Sequence, residues 1–220
     1  MSRQCNPFVL DPIPELDFYE REHRYRWRGN WILNNVSDIT SRELTPYAKA
    51  QMERYKHGPD GWLARGDACH RSLESFLKNE PQVHDERWNP WLDTLLADDL
   101  FKGIEVLATE YRVVDRYNSV AGSFDFLLRY KDDPGFVILG DLKTVSSKKA
   151  VSSRKPATAQ LGAYAKFLST HVPICVTECV TVVSGPDKCK VIRQSPQDEC
   201  IPAWEEVWGR FEATQPKFDF

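Results

Sequence analysis

The stretch that most constrains the fold runs from residue 120 to residue 144 and reads VAGSFDFLLRYKDDPGFVILGDLKT. Its two flanks are rich in Phe, Leu, Val and Ile, and the polar segment KDDPG between them is typical of a tight turn. The pattern predicts a β-hairpin in which Tyr130 pairs with Phe136. That register places Asp125 directly opposite Asp141, with Lys143 on the same face two residues further along.

On this predicted face the two carboxylates and the ammonium group have apolar neighbours, namely Leu127, Val137 and Leu139. Two carboxylates this close do not both ionise without a counter-charge. Lys143 can neutralise one of them, whereas a divalent cation can neutralise both. The hairpin alone is therefore consistent with a buried Asp–Lys pair that satisfies itself and with a catalytic site.

The composition is that of an ordinary globular protein. The 220 residues are 41% hydrophobic and 28% charged, which allows one sizeable core. No apolar run approaches the roughly 20 residues that span a bilayer, and the N-terminus lacks the apolar segment of a signal peptide, so we expect a cytoplasmic protein without a membrane partner. The net charge of −3 argues against a protein that coats DNA, but it allows an enzyme that grips nucleic acid in one narrow basic channel.

The cysteines form no CxxC pair, and we expect free, mostly buried thiols in a reducing compartment. Cys175 and Cys179 fall in an apolar run, where they would share one face of a strand. The alternative is an iron–sulfur cluster held by one N-terminal and three C-terminal cysteines, for which the spacings are poor. The six are Cys5, Cys69, Cys175, Cys179, Cys189 and Cys200.

The order of elements predicts an α/β or α+β fold with a central mixed sheet flanked by helices. Residues 1–58 are expected to form an extended arm, a small hairpin at residues 16–28, a strand within 31–40 and a weak helix at 43–57. Residues 59–220 are expected to be the core of one continuous domain. Its predicted elements are helices at 59–79 and 87–101, a strand at 104–117, the hairpin, a basic loop at 145–155, a helix from 156, strands at 173–183 and 188–193, and a helix at 197–214.

Polar residues stand at defined places in these elements. His70 lies in the inward stripe of its helix, four residues after Gly66, where it is either a core histidine or a ligand. Glu110 interrupts the long strand before the hairpin. Gln160 and Tyr164 lie four residues apart on one face of the following helix.

Two basic segments are candidates for contact with a phosphate backbone. In RYRWR the alternation places three arginines on one face of a strand and two aromatic residues on the other, which also fits a half-exposed edge strand. Residues 145–155 carry their basic residues among serines, which predicts a mobile basic loop that is either a DNA contact or a solvated connector. The nucleic-acid-binding candidates are Arg24, Arg26, Arg28, Lys148, Lys149, Arg154 and Lys155.

The order of His70, Glu110, Asp125, Asp141-Leu142-Lys143 and Gln160-x-x-x-Tyr164 resembles the RecB-type branch of the PD-(D/E)XK nuclease superfamily. That branch includes phage, CRISPR-associated and mitochondrial genome-maintenance exonucleases. The resemblance covers residues 66–164 closely and implies a restriction-endonuclease-like core. Phe124 stands where the superfamily has a proline, and the iron–sulfur cysteines of some members are not matched in spacing, so no cluster is expected.

The resemblance also implies roles for the polar residues. Glu110 assists through a metal or its water, Lys143 orients or deprotonates the attacking water, and Gln160 and Tyr164 position the scissile strand or the lysine. Hard oxygen ligands suit Mg²⁺ or Mn²⁺, and an added imidazole favours Mn²⁺. The implied ligands of one or two such ions are His70, Asp125, Asp141 and the Leu142 carbonyl.

The function implied by the resemblance is that of a metal-dependent exonuclease in DNA repair or recombination, acting on free, single-stranded DNA ends. One alternative is a structure-specific endonuclease. Another is a non-catalytic module on a nuclease fold that binds DNA or docks a partner protein. The Q-x-x-x-Y element favours the exonuclease, and the intact Asp–Asp–Lys set argues against the non-catalytic module.

Overall fold

The computed structural model describes residues 10–58 and 61–216. Cys5, most of the predicted N-terminal arm and the predicted helix start at Pro59 lie outside these residues. The strands are β1 (Leu16–Tyr19), β2 (Arg24–Trp27), β3 (Asn30–Trp31), β4 (Asn34–Asn35), β5 (Ile104–Asp115), β6 (Val120–Tyr130), β7 (Val137–Thr144), β8 (Glu178–Gly185) and β9 (Lys188–Gln194). The α-helices are α1 (Val36–Ser41), α2 (Pro46–Arg54), α3 (Trp62–Leu77), α4 (Asn89–Leu96), α5 (Lys148–Ser153), α6 (Thr158–Ser169) and α7 (Ile201–Ala213).

The main sheet is mixed, as the sequence predicts. Its order is β4-β6-β7-β8-β9. β4 and β7 pair with different ends of β6, and β5 pairs with β6 along most of its length. The pairs β4–β6 and β7–β8 are parallel, and the remaining pairs are antiparallel. A second, smaller sheet contains β1, β2 and β3. No helix in the described ranges 10–58 and 61–216 is long and apolar enough to cross a lipid bilayer.

Helices cover both faces of the main sheet, so that two hydrophobic cores form. One core lies under α6, α7 and α1 and includes Leu139, Leu161 and Trp204. The other lies under α3 and α4 and includes Leu73, Leu95 and Ile138. This three-layer arrangement confirms the predicted class of a central mixed sheet flanked by helices.

The hairpin of β6 and β7 has the predicted register, but its ladder is shorter than predicted. Pairs run from Arg129 opposite Val137 to Phe126 opposite Gly140. A Cβ at Gly140 would come within 1.9 Å of the Phe126 ring, so this pair requires glycine. The ladder ends there, and β7 continues alone along β8. The two strands therefore separate between Phe126 and Asp125 on β6, and between Gly140 and Asp141 on β7.

The side-chain alternation of β6 is also interrupted at Asp125. Phe124 packs in the core under α6, whereas Phe126, two residues on, packs in the core under α3. Asp125 faces His70 on α3. The prediction of its same-face neighbours is therefore wrong, because three residues pack in the α6 core instead: Leu127, Val137 and Leu139.

Three further predictions need correction. The strand predicted within residues 31–40 is mostly the helix α1, in which Val36 and Ile39 are buried. The loop predicted at residues 145–155 contains the helix α5, because the Ser147 hydroxyl accepts a hydrogen bond from Ala150 N–H and Val151 is fully buried. The strand predicted from residue 173 begins at residue 178, so Cys175 precedes it and is exposed, whereas Cys179 is buried.

The small sheet has an inner and an outer face, as the alternation of RYRWR predicts for part of its length. Tyr25 is buried, and Arg24 is exposed on the opposite face. Arg28 departs from the pattern because it follows β2 in a turn with a φ of 47°. Its guanidinium stacks on Trp27, 4.8 Å from the ring centroid, and its Nε lies 3.3 Å from Glu15. Arg28 is therefore not part of the Arg24 face.

Candidate active site

Three ionisable side chains meet where β6 and β7 divide. His70 comes from α3, Glu110 from β5 and Asp125 from β6. His70 Nδ1 lies 3.0 Å from Asp125 Oδ1 and 3.9 Å from Glu110 Oε1. Each residue offers one ligand atom, and these atoms all lie within 4.8 Å of one another. The cluster is thus compact enough for a single cation.

The backbone at Glu110 is unusual for a strand. Its φ is 46°, in the left-handed region that residues other than glycine seldom adopt. Thr109 pairs with Phe126 and Tyr111 with Phe124, so Glu110 and Asp125 stand opposite each other without being a paired position. Strained backbone of this kind is concentrated at functional sites. Here it accompanies a carboxylate that faces the His70–Asp125 pair.

Asp125 uses both carboxylate oxygens. Oδ1 contacts His70, and Oδ2 accepts a hydrogen bond from the backbone N–H of Leu142 on β7. Burial by itself raises the pKa of Asp125, but the charge and hydrogen bond of His70, the Lys143 charge and the Leu142 hydrogen bond together hold the pKa below its usual value. Burial likewise lowers the pKa of His70, yet Asp125 raises it to about 9, with a contribution from Glu110. Without a metal, the two residues form an ion pair.

The pKa of Glu110 is shifted in the opposite direction to that of Asp125. Its side chain is 41% exposed, and its carboxyl group lies near His70 and the Asp125 carboxylate. Desolvation first, and the Asp125 charge second, raise the pKa of Glu110 to about 7. The Glu110 carboxyl therefore ionises less readily than an ordinary carboxyl unless a positive charge lies beside it.

Asp141 and Lys143 form the other half of the site. Lys143 Nζ lies 2.7 Å from Asp141 Oδ2, and Asp141 is only 2% exposed. This contact is an ion pair between a half-buried ammonium and a buried carboxylate oxygen. Burial raises the pKa of Asp141 more than the Lys143 charge lowers it. Among the described residues the compact ligand group does not include Asp141.

The donor set fits a divalent cation. Glu110, Asp125 and Asp141 supply three carboxylates, which face one ammonium from Lys143 and one imidazole from His70. The buried Asp141 oxygen already contacts the Lys143 ammonium, but three carboxylates this close together require further positive charge. Carboxylate oxygens with one imidazole suit Mg²⁺ or Mn²⁺. The predicted ligation by the Leu142 carbonyl stays a prediction.

Gln160 and Tyr164 extend the site along α6. Gln160 Nε2 donates a hydrogen bond of 2.9 Å to the Tyr164 hydroxyl. Tyr164 is 2% exposed, and burial first, then the Asp141 charge, raise its pKa well above the usual value. Tyr164 is thus a buried neighbour of Asp141 that orients Gln160, whereas Gln160 itself lines an open cavity.

That cavity has a volume of about 860 Å³ and opens beside the cluster. His70, Lys143 and Gln160 lie on its wall, which α1, α2, α3, α6 and α7 complete. On one side Arg210 of α7 contacts Glu43, with Nη2 to Oε2 at 2.8 Å and Nε to Oε1 at 3.3 Å. No local pattern marks this pair, because its members are 167 residues apart in the sequence.

The predicted basic residues are divided between different surfaces. Arg154 lines the cavity. Lys148 instead pairs with Asp187 at the β8–β9 turn, with Nζ 3.2 Å from Oδ2. Lys149 and Lys155 are exposed near α5. Arg24 and Arg26 lie on the small sheet, outside the cavity lining.

None of the described cysteines belongs to the ligand group. Cys69, Cys179 and Cys200 are buried, and the thiols of Cys179 and Cys200 are neighbours. Cys175 is exposed and Cys189 is half-buried. Because Cys5 lies outside the described residues, the expectation that the chain holds no iron–sulfur cluster stays a prediction.

Comparison with known proteins gives only distant similarities. The sequence matches no protein-family model and no curated protein. Among solved structures, the chain is similar to SSO0001, with 18% identity over 84% of this chain and 78% of that one and a TM-score of 0.47. It is also similar to an alkaline exonuclease from Laribacter hongkongensis, with 12% identity over 81% and 89% of the chains and a TM-score of 0.34. Because both TM-scores lie below 0.5, only the geometry of the site bears on what this chain does.

Proposed function

We propose that this chain is a metal-dependent nuclease that hydrolyses phosphodiester bonds at free, single-stranded DNA ends. The observation that carries the proposal is the contact of Lys143 with the buried, otherwise unpartnered Asp141 beside the His70–Glu110–Asp125 group. An Asp–Lys pair that only neutralises itself in the core would not need three more ionisable groups, those of His70, Glu110 and Asp125, at the same place. Such a concentration of perturbed groups next to a cavity is typical of catalysis.

The residues of the candidate active site have different proposed roles. His70, Glu110, Asp125 and Asp141 would hold the cation. A divalent cation bound there supplies water activated near neutral pH and charge stabilisation at the phosphate. Lys143, a quarter exposed and on the cavity wall, can donate a hydrogen bond to the attacking water or to a phosphate oxygen.

Gln160 and Tyr164 act as positioning residues. The Gln160 amide faces the cavity and is fixed by its hydrogen bond to the buried Tyr164 hydroxyl. An amide held in this way can orient the sugar–phosphate backbone without changing its charge. Tyr164 itself is too buried to touch a substrate, so its effect is exerted through the hydrogen bond that it accepts from Gln160.

The shape of the cavity supports a single-stranded substrate with a free end. A volume of about 860 Å³ is in the range of small-molecule pockets and suits a short length of one strand rather than a duplex. The contact between Glu43 and Arg210 joins the segment after α1 to α7 at the cavity wall. On this proposal, a single strand would enter the cavity by its end, past this contact.

The deciding experiment uses end-labelled linear single-stranded DNA, linear duplex DNA and circular single-stranded DNA, each with Mg²⁺, Mn²⁺ or a chelator. We expect progressive shortening of the linear single strand that requires metal and leaves the circle intact. Cutting of the circle would identify an endonuclease. DNA binding without cleavage under any of these conditions would identify a non-catalytic module and overturn the proposal.

A further inference from the structure

The small sheet presents an outer face that the candidate active site does not use. Pairing places Tyr19 opposite Arg24, and places Arg26 between Asp17 and Trp31, so these residues share one face. Trp31 is 41% exposed, and Tyr19 and Arg24 are exposed as well. We call the side chains of Tyr19, Arg24, Arg26 and Trp31 the outer aromatic face.

The members of this face stack on one another. The Tyr19 and Trp31 ring centroids are 5.0 Å apart, at an interplanar angle of 59°. The Arg24 guanidinium lies 4.7 Å from the Trp31 ring centroid, and that of Arg26 lies 5.9 Å from it. Arg26 is further fixed because its Nε donates a hydrogen bond of 2.8 Å to the Gly29 carbonyl. The indole is therefore held in place while much of its surface remains in water.

The fold does not need these aromatic rings on the outside. The inner face of the same sheet already buries Leu16 and Tyr25 against the main core. Exposed large aromatic residues add little to stability, whereas they are the usual platforms for unpaired bases. Arginine guanidinium groups beside them contribute both stacking and attraction to phosphate.

The charge of the face favours base stacking over simple phosphate attraction. Two guanidinium groups stand against one carboxylate, that of Asp17, which lies directly across from Arg26. The net attraction for phosphate is therefore modest, and the aromatic surface must provide most of the affinity. Only an unpaired base offers a π-face for such a contact, because paired bases are already stacked within a helix.

The small sheet is also firmly attached to the strand that carries Asp125. The Tyr25 hydroxyl and the Ser123 hydroxyl are 2.9 Å apart in a hydrogen bond, and Ser123 lies two residues before Asp125 on β6. A second attachment comes from Asn35, whose amide donates a hydrogen bond of 3.0 Å to the His23 carbonyl. A base held on the outer aromatic face would therefore keep a fixed position relative to β6.

We propose that the outer aromatic face is a stacking platform that binds unpaired bases of the single-stranded DNA whose end is cleaved. The proposal rests on the proposed nuclease function and deepens it by assigning a second contact for the same substrate. The platform holds a part of the strand away from the scissile phosphate. It favours single strands over duplexes without reading sequence.

The test measures binding of fluorescein-labelled oligothymidylate of about 20 nucleotides, longer than the roughly 4–16 nucleotides that one small single-strand-binding domain covers. Asp141→Asn is the background, so that the probe is not degraded. We expect Trp31→Ala to weaken binding roughly 5- to 140-fold, the range for losing one stacked base. Trp31→Phe should keep most of the affinity. Melting curves of each variant show whether the fold is retained.

The matched control is Tyr117→Ala. Tyr117 is 82% exposed and lies under the Arg116 guanidinium, 4.8 Å from it, in the turn between β5 and β6. This exposed Tyr–Arg pair lies outside the outer aromatic face, so its loss should leave binding unchanged. With the wild-type enzyme, Trp31→Ala should raise KM for the single strand more than it lowers kcat.

The outcomes separate the platform from the nuclease. If the wild-type chain cleaves the single strand but Trp31→Ala binds it normally, the proposed stacking platform is wrong and the proposed nuclease function is retained. The outer aromatic face then binds another kind of partner. An equal loss of affinity for duplex DNA, or an equal effect of Tyr117→Ala, also overturns stacking. If the wild-type chain neither binds nor cleaves the single strand, both proposals fail.

Discussion

The Asp125 carboxylate accepts a hydrogen bond from the backbone N–H of Leu142, at the point where the pairing of β6 with β7 has ended. A side chain thus takes the place of the neighbouring strand in satisfying this amide. The other oxygen of the same carboxylate contacts His70 of α3. One residue therefore holds the divided strands at a fixed separation and orients the imidazole beside them.

Asp141 and Lys143 should be required for cleavage but not for folding. Asp141→Asn keeps the shape of the side chain and removes its charge, and Lys143→Ala removes the group 2.7 Å from it. We expect each to lower cleavage of single-stranded DNA at least about a hundredfold, as for the loss of other preorganised charged groups. The comparison is the rate of shortening of an end-labelled strand, with melting temperature measured in parallel.

The control for this pair is Asp187→Asn. Asp187 forms an Asp–Lys pair with Lys148 at the β8–β9 turn, where both side chains are exposed. We expect cleavage at the wild-type rate, because exposed ion pairs contribute little. Near-normal turnover in Asp141→Asn or Lys143→Ala would remove both residues from the catalytic assignment.

His70 should contribute to the binding of Mn²⁺. Its Nδ1 lies with the Glu110 and Asp125 oxygens in the compact group, and an imidazole ligand favours Mn²⁺ over Mg²⁺. We expect His70→Ala to weaken Mn²⁺ binding by at least roughly 10- to 100-fold. Removing a residue that only supports a metal ligand already lowers metal affinity by that factor. Isothermal titration calorimetry with MnCl₂ and no DNA measures this directly.

An exposed histidine provides the comparison for this titration. His57 follows α2 and is exposed, so His57→Ala should leave the Mn²⁺ affinity unchanged. If His70→Ala binds Mn²⁺ as tightly as the wild-type chain, His70 is not a ligand. Its contact with Asp125 would then be a half-buried ion pair that supports the fold.

Arg154 should be the main DNA contact among the basic residues around α5. It lines the same cavity as Lys143, whereas Lys148 is paired with Asp187. We expect Arg154→Ala to weaken binding of single-stranded DNA and to reduce the slope of log affinity against log salt by about 0.7, the value for one phosphate contact. Lys148→Ala should leave the slope unchanged. If Lys148→Ala reduces the slope and Arg154→Ala does not, the DNA lies on the exposed face of α5.

The sequence predicts the elements well where local patterns decide them. The apolar flanks and the Pro-Gly turn of the hairpin are sufficient to predict its register, since the side chains of Phe126 and Leu128 must be buried. The segment at residues 145–155 shows the limit of this reasoning. Its serines suggest mobility by composition, but Ser147 caps a helix whose Val151 packs against Gly185. Whether a serine caps a helix depends on a tertiary contact.

The site is only partly predictable for a related reason. Spacing along the chain brings Asp141 and Lys143 together, because residues two apart in a strand share a face. The turn of Asp125 towards α3 depends instead on the positive φ of Glu110 and on the division of the strands. Neither feature has a local signature in the sequence. The strand pattern therefore explains why Asp141 and Lys143 lie together, but not why the Asp125 carboxylate faces His70 and Glu110.

Gly66 offers a test that separates the cavity from the stability of the fold. It lies within α3 and on the cavity wall, and a Cβ there would be 4.0 Å from the Thr144 hydroxyl, an ordinary contact. Gly66→Ala should therefore stabilise the helix by about 0.5–1 kcal/mol and raise the melting temperature by about 1–4 °C. We also expect slower cleavage, because the added methyl group narrows the cavity beside His70.

Gly209→Ala is the matched substitution. Gly209 lies within α7, and a Cβ there has no atom within 4 Å among the described residues, so the same gain in stability is expected without an effect on cleavage. The two variants are compared by melting temperature and by the rate of shortening of an end-labelled single strand. If Gly66→Ala is stabilised and cleaves at the rate of Gly209→Ala, the substrate does not use the α3 wall of the cavity. If Gly66→Ala is less stable than the wild-type chain, the space beside Thr144 is smaller than the 4.0 Å contact indicates.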